Sequence, residues 1–173
     1  SDAKKIYFKL FESDVLKLAD YIHATSVSER EHLLEFGLPC SKIFIVEEGI
    51  HLPPLRLDSV STVQKLDKPK VLLFLARLHP VKGIEILLEA LSLLRPTDWI
   101  CRIVGMGSPQ YVKHLNHLIE IYRLHNIVFL CGPLSGDAKD KAFAESNAYI
   151  LPSYSESFGI SVAEAMSWEL PVI

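Results

Sequence analysis

The residues with most chemical promise lie in the segment ESFGISVAE, where seven residues separate Glu156 from Glu164. The apolar run Ala148–Leu151 reads as a strand, and Pro152-Ser153 ends it. Glu156 then falls in a loop at the carboxyl edge of a sheet, where open α/β folds bind ligands. Gly159 stands near the start of the next helix, where backbone amides and the helix dipole favour a phosphate or a hydroxyl oxygen. Glu164 follows about one and a half turns on, and its side chain leans back toward the helix start. Both carboxylates can therefore face one ligand. The plain alternative is two solvated surface acids.

A second segment, RLHPVKG, follows the strand-like run Val71–Ala76 and precedes a helix. Arg77 brings a planar fork and Lys82 a mobile point charge, a pair suited to a diphosphate. Gly83 lets the helix begin without a side chain in the way. Gly105-Met106-Gly107 lacks the third glycine of a dinucleotide fingerprint and reads as a tight turn. Gly132-Pro133 falls at the same edge and could shape a base pocket. His114 and His117 are three apart on a helix, but no acidic or thiol neighbour in sequence completes a metal shell. His79 reads as a loop residue. No GxSxG elbow, P-loop or HExxH is present.

The elements that must position these groups alternate strand and helix. Val71–Ala76, Ile100–Val104, Ile127–Cys131, Ala148–Leu151 and Pro171–Ile173 are rich in Val, Ile, Leu or Phe without polar alternation, as in strands buried on both faces. Helical spacing links Ile84, Leu87, Leu88, Leu91 and Leu94, and again Tyr111, Leu115, Leu118 and Tyr122, with Ser108 as N-cap, Pro109 at the first position and a stop at His125-Asn126. Shorter helices fit about Asp137–Glu145 and Gly159–Ser167. A doubly wound α/β fold with a parallel sheet follows. Before it, Phe11, Val15 and Leu18 suggest a helix ending near Asp20. Ile22–Ala24 and Ile43–Val46 suggest strands without neighbours. Ser28 and Glu31 suggest a capping box, and Gly37 a helix end. Residues 1–50 read as the last part of one domain, 51–67 as a linker and 68–173 as an incomplete second domain. The final half strand suggests truncation at both ends, and its unpaired edge predicts self-association.

The 173 residues are 49% hydrophobic and 23% charged, which excludes a disordered chain. A net charge of -3 argues against an electrostatic nucleic-acid binder. The longest apolar runs, about six residues, fall far short of a bilayer span. Cys40, Cys101 and Cys131 are unclustered. Two of them sit in apolar runs, where buried reduced thiols are expected. A cytoplasmic protein is the expectation.

In order along the chain, ATSVSEREHLLEFGLPCSKIFIVEEGI, FLARLHPVKGIEILLEAL, RIVGMGS, NIVFLCGPL, AYILPSYSESFGISVAEAM and LPVI resemble the C-terminal half of a GT-B fold glycosyltransferase. The similarity is to family 4, retaining enzymes that use nucleotide sugars. It implies that Arg77 and Lys82 hold the donor diphosphate, Glu156 the sugar hydroxyls and Glu164 the ribose. Phe158 and Gly159 would lie near sugar and phosphates, with Gly105 and Gly132 lining the donor site. Arg77, Lys82 and Glu156 would carry the catalysis, stabilising the leaving diphosphate with no metal and no other cofactor. The implied partners are a UDP-, GDP- or ADP-sugar and a carbohydrate or glycolipid acceptor in cell-envelope polysaccharide synthesis, with peripheral attachment at the cytoplasmic membrane face. The isolated chain is expected to transfer no sugar. The family commonly has Gly where this chain has Glu169, and Asn where it has Glu48. A noncatalytic nucleotide-binding module and a sugar-nucleotide 2-epimerase are the competing readings.

Overall fold

The computed structural model describes residues 13–50, 52–53, 69–156 and 158–173. Most of the expected linker, and Phe11, lie outside the described residues. The chain divides into two compact units, Ser1–Gly49 and Ile50–Ile173.

The first unit runs α1 (Ser13–Leu18), β1 (Ile22–Ala24), α2 (Val27–Glu35), a 3-10 turn (Cys40–Lys42) and β2 (Ile43–Ile45). The two strands are not without neighbours: they pair with each other in parallel, Ile22 opposite Ile43. Ile22, Ala24, Leu38 and Ile43 form a small core. The cap of α2 sits two residues earlier than expected. Ser26, not Ser28, accepts from the Glu29 amide at 3.2 Å, because Ser26 is the residue with extended backbone. Glu29, not Glu31, reaches back to the Thr25 amide and hydroxyl at 2.7 and 2.6 Å. Those hydrogen bonds hold its carboxyl below the usual carboxylate range. Gly37 closes the helix as expected, with φ of 80°.

The second unit alternates β3 (Lys70–Leu75), α3 (Ile84–Leu94), β4 (Trp99–Val104), α4 (Pro109–Ile121), β5 (Val128–Gly132), α5 (Gly136–Ala144), β6 (Ala148–Tyr149) and α6 (Ile160–Ser167). The strands are all parallel, in the order β5–β4–β3–β6. Side chains alternate between two cores, as a pleated strand requires. Phe74 and Ile103 face the α3–α4 layer with Leu88 and Leu115. Leu73 and Val104 face the α5–α6 layer with Phe143, Tyr149 and Ala165. Helices on both faces of a parallel sheet make the doubly wound, Rossmann-like fold.

Four expectations need correction. Pro171–Ile173 is exposed rather than buried: it runs parallel to β6 for a single bridge, Tyr149 with Val172, where the Tyr149 amide donates to the Pro171 carbonyl at 2.8 Å and the Ile173 amide to the Tyr149 carbonyl at 2.9 Å. β6 is correspondingly two residues long rather than four. The stop after α4 comes before His125-Asn126: Arg123 takes φ of 54°, and the Leu124 amide donates back to the Ile119 carbonyl at 2.8 Å. Cys101 is buried, and that burial pushes its thiol up to about 12. Cys131 is exposed, because its position on β5 turns its side chain out of the core.

Candidate functional site

The strand order fixes where a ligand can enter. β3 is flanked by β4, the next strand in the chain, and by β6, the last, so the chain leaves β3 and β6 toward opposite faces. The crevice outside the carboxyl ends at such a switch point is the ligand site of open α/β sheets. The loop after β3 is RLHPVKG, and the loop after β6 carries Glu156.

The structure brings these loops into contact. The Lys82 ammonium and the Glu156 carboxylate form an ion pair at 2.5 Å, across 74 positions of sequence. The Ser153 hydroxyl donates to the same Glu156 oxygen at 2.6 Å. The Tyr154 amide donates to the Val81 carbonyl at 2.9 Å. His79 organises the first loop: its ring nitrogen caps the Pro80–Lys82 turn by accepting from the Val81 amide at 3.2 Å. Gly83 is required here. It takes φ of 65°, and a Cβ would overlap the Pro152 carbonyl. Any larger residue would push the two loops apart.

Gly159 opens α6 with φ of 76°, and Phe158 beside it is half-buried. Buried Tyr149 anchors this helix start. Its hydroxyl donates to the Leu75 carbonyl at 3.0 Å and lies 2.7 Å from the Ser161 hydroxyl. Burial holds its phenol well above the usual range. Glu164 does not meet Glu156. It pairs with Lys139 of α5 at 2.6 Å. Nothing in the sequence reading singled out Lys139. The available signal was its position three and four residues before Ala142 and Phe143, the apolar face of α5.

Beside this junction lies a cleft of about 830 Å³, walled by Arg77, His79, Met106, Tyr111, His114 and Pro133 among others. Arg77 is exposed on its wall, and Gly105 also lines it. The Gly105 amide donates to the Gly132 carbonyl at 2.9 Å, tying together the ends of β4 and β5. Gly105 and Gly107 have a packing role: a Cβ on Gly105 would overlap the Ala76 carbonyl, and one on Gly107 would come within 2.7 Å of Leu78. Lys82, Glu156, Phe158, Gly159 and Glu164 do not line this cleft. The candidate residues thus form two groups, the Lys82–Glu156 junction and the Arg77–Gly105 wall. His114 has an acidic neighbour after all, Glu85 of α3 at 3.8 Å. Packing of α3 on α4 supplies it, which spacing along α4 could not show. Among the described residues no three His, Cys, Asp or Glu side chains converge as a metal site would need, and no helix is long and apolar enough to cross a membrane.

Comparison with known proteins agrees with this architecture. The family model for glycosyl transferases group 1 matches residues 59–173. A D-inositol 3-phosphate glycosyltransferase of Kineococcus radiotolerans is 28% identical over 94% of this chain and 41% of its own length. An uncharacterized glycosyltransferase of Methanocaldococcus jannaschii is 31% identical over 80% of this chain and 37% of its own. The chain thus spans about two fifths of the curated relatives it matches. Among solved structures, Anabaena Alr3699/HepE in complex with UDP and glucose superposes with a TM-score of 0.83 at 22% identity, over 99% of this chain and 49% of that one. Sucrose-phosphate synthase of Thermosynechococcus elongatus gives 0.75 at 24%, over 99% and 43%. The Rossmann-like fold is that of the C-terminal half of GT-B enzymes, and the chain belongs to the glycosyl transferases group 1.

Proposed function

We propose that this chain binds the donor of a retaining glycosyltransferase, which moves a sugar from a nucleoside-diphosphate sugar to a saccharide or lipid-linked acceptor. The observation that carries the reading is the Lys82–Glu156 pair at the β3/β6 switch point. A cation and a carboxylate held together there suit the two ends of a sugar diphosphate. Lys82, with Arg77 on the adjoining wall, takes the phosphates, and Glu156 takes the sugar hydroxyls. Their ion pair keeps both side chains in place until the donor separates them. Glu164 takes the ribose, Phe158 and Gly159 supply backbone groups beside sugar and phosphates, and Gly105 and Gly132 shape the nucleotide pocket.

Departure of the nucleoside diphosphate builds negative charge on its outer phosphate. Lys82, Arg77 and the amides at the start of α6 stabilise that charge as it develops. The chemistry needs no metal. Transfer requires the remaining length that the relatives have, where the acceptor would bind. HepE has been solved with UDP and with UDP-glucose, which makes UDP the first donor nucleotide to test.

Titration calorimetry with UDP, GDP and ADP, with and without EDTA, tests the reading. Binding of at least one of them, unchanged by EDTA, is expected. Failure of all three to bind, or loss of binding in EDTA, would contradict it.

A further inference from the structure

We propose that Lys139 is a positioning residue that holds the Glu164 carboxylate in the orientation that receives the nucleotide ribose. This inference rests on the assignment of Glu164 to the ribose made above.

The argument begins with packing. On α5, Lys139, Ala142 and Phe143 share one face at helical spacing. On α6, Ala165 and the adjoining Trp168 meet them in one core, and the Phe143 and Trp168 rings stack at 6.4 Å with 11° between planes. That stack fixes the register of the two helices. Lys139 is then set opposite Glu164, one residue before Ala165, and the ion pair at 2.6 Å results. The Glu164 side chain is only 13% exposed and that of Lys139 28%. Burying a carboxylate to this degree is costly unless it is paired.

The pairing is also one-sided. Lys139 takes Oε1 of Glu164, while Oε2 accepts no hydrogen bond among the described residues. Hydroxyls of a ribose are donors, and a carboxylate oxygen with its partner oxygen already clamped is a pre-oriented acceptor for them. The two glutamates of ESFGISVAE are thus each held by a lysine from another segment, Glu156 by Lys82 and Glu164 by Lys139. In the first pair the lysine itself serves the donor. In the second it acts through the carboxylate.

A purely structural salt bridge between α5 and α6 would explain the same distance, so the test must read ribose recognition. The Kd of UDP and of 2′,3′-dideoxy-UDP is measured for the wild type, Lys139→Met and Lys139→Arg. Met keeps the aliphatic stem and removes the charge, and thermal melting confirms that each variant folds. Lys139→Met is expected to weaken UDP roughly tenfold, a change of one hydrogen-bond strength, while the dideoxy form stays within about twofold. Lys139→Arg should restore most of the loss. Equal weakening of both nucleotides, or no change in either, would overturn the role of Lys139. Where GDP or ADP is the nucleotide that binds, it and its dideoxy form take the place of UDP; a wild type that binds the nucleotide and its dideoxy form alike would instead remove the ribose assignment of Glu164, and this inference with it.

Discussion

At the residue scale, the junction depends on one absent side chain as much as on the charged ones. Gly83 and Gly132 both have positive φ, 65° and 71°, so any L-residue strains the backbone at either place. They differ in surroundings. A Cβ on Gly83 would overlap the Pro152 carbonyl, while one on Gly132 meets nothing within 4 Å. Gly83→Ala should therefore cost roughly 2–4 kcal/mol, and Gly132→Ala only about 1 kcal/mol. Chemical denaturation of the two variants measures this difference directly, and equal costs would mean that the Pro152 approach is not tight. Glu164, inside α6, turns to Lys139 of α5 rather than to Glu156. The placement of Arg77, Lys82 and Glu156 at the carboxyl edge of the sheet was legible in the sequence, because polar residues after apolar runs mark that edge. Lys139 was not. Its meeting with Glu164 is made by a stack of Phe143 on Trp168 between two helices, and no local spacing encodes that.

Elements were readable wherever periodicity was long. α3 and α4 repeat their apolar face over three turns or so, and β3 to β5 are mostly apolar, with Arg102 of β4 reaching out to Glu145. Ends were read less well. The cap of α2 moved because Ser26 and Ser28 are both good capping residues, and only backbone geometry chooses between them. The end of α6 is informative in another way. The Leu170 amide donates to the Ala165 carbonyl at 3.1 Å and the Glu169 amide to that of Met166 at 2.9 Å. This is a Schellman turn, whose left-handed position glycine favours. Glu169 occupies it with φ of 59°. The turn that glycine would make more easily is formed here at a cost in strain. Glu169→Gly should then raise stability by about 0.5–1 kcal/mol, the relief of strain exceeding the added chain entropy of glycine. A rise in melting temperature would show it. A fall would mean that the glutamate side chain contributes more than its backbone strain removes.

On the scale of the whole molecule, the doubly wound class followed from strand–helix alternation, and the strand order turned it into a site. The order β5–β4–β3–β6 places the loops after β3 and β6 at the switch point, so groups 74 positions apart meet. Sequence alone could put both loops on one edge of the sheet but could not say which strands are neighbours. That adjacency carries the function proposed above, in which Lys82 would stand at the phosphates of a nucleoside diphosphate. The most direct measurement compares UDP with uridine, by calorimetry, for the wild type and Lys82→Ala. Charge-assisted hydrogen bonds contribute about 1.5–3 kcal/mol each, so the variant should bind UDP roughly 10- to 100-fold more weakly and uridine almost unchanged. Equal losses for the nucleoside and the diphosphate would contradict the account, because Lys82 would then not be at the phosphates.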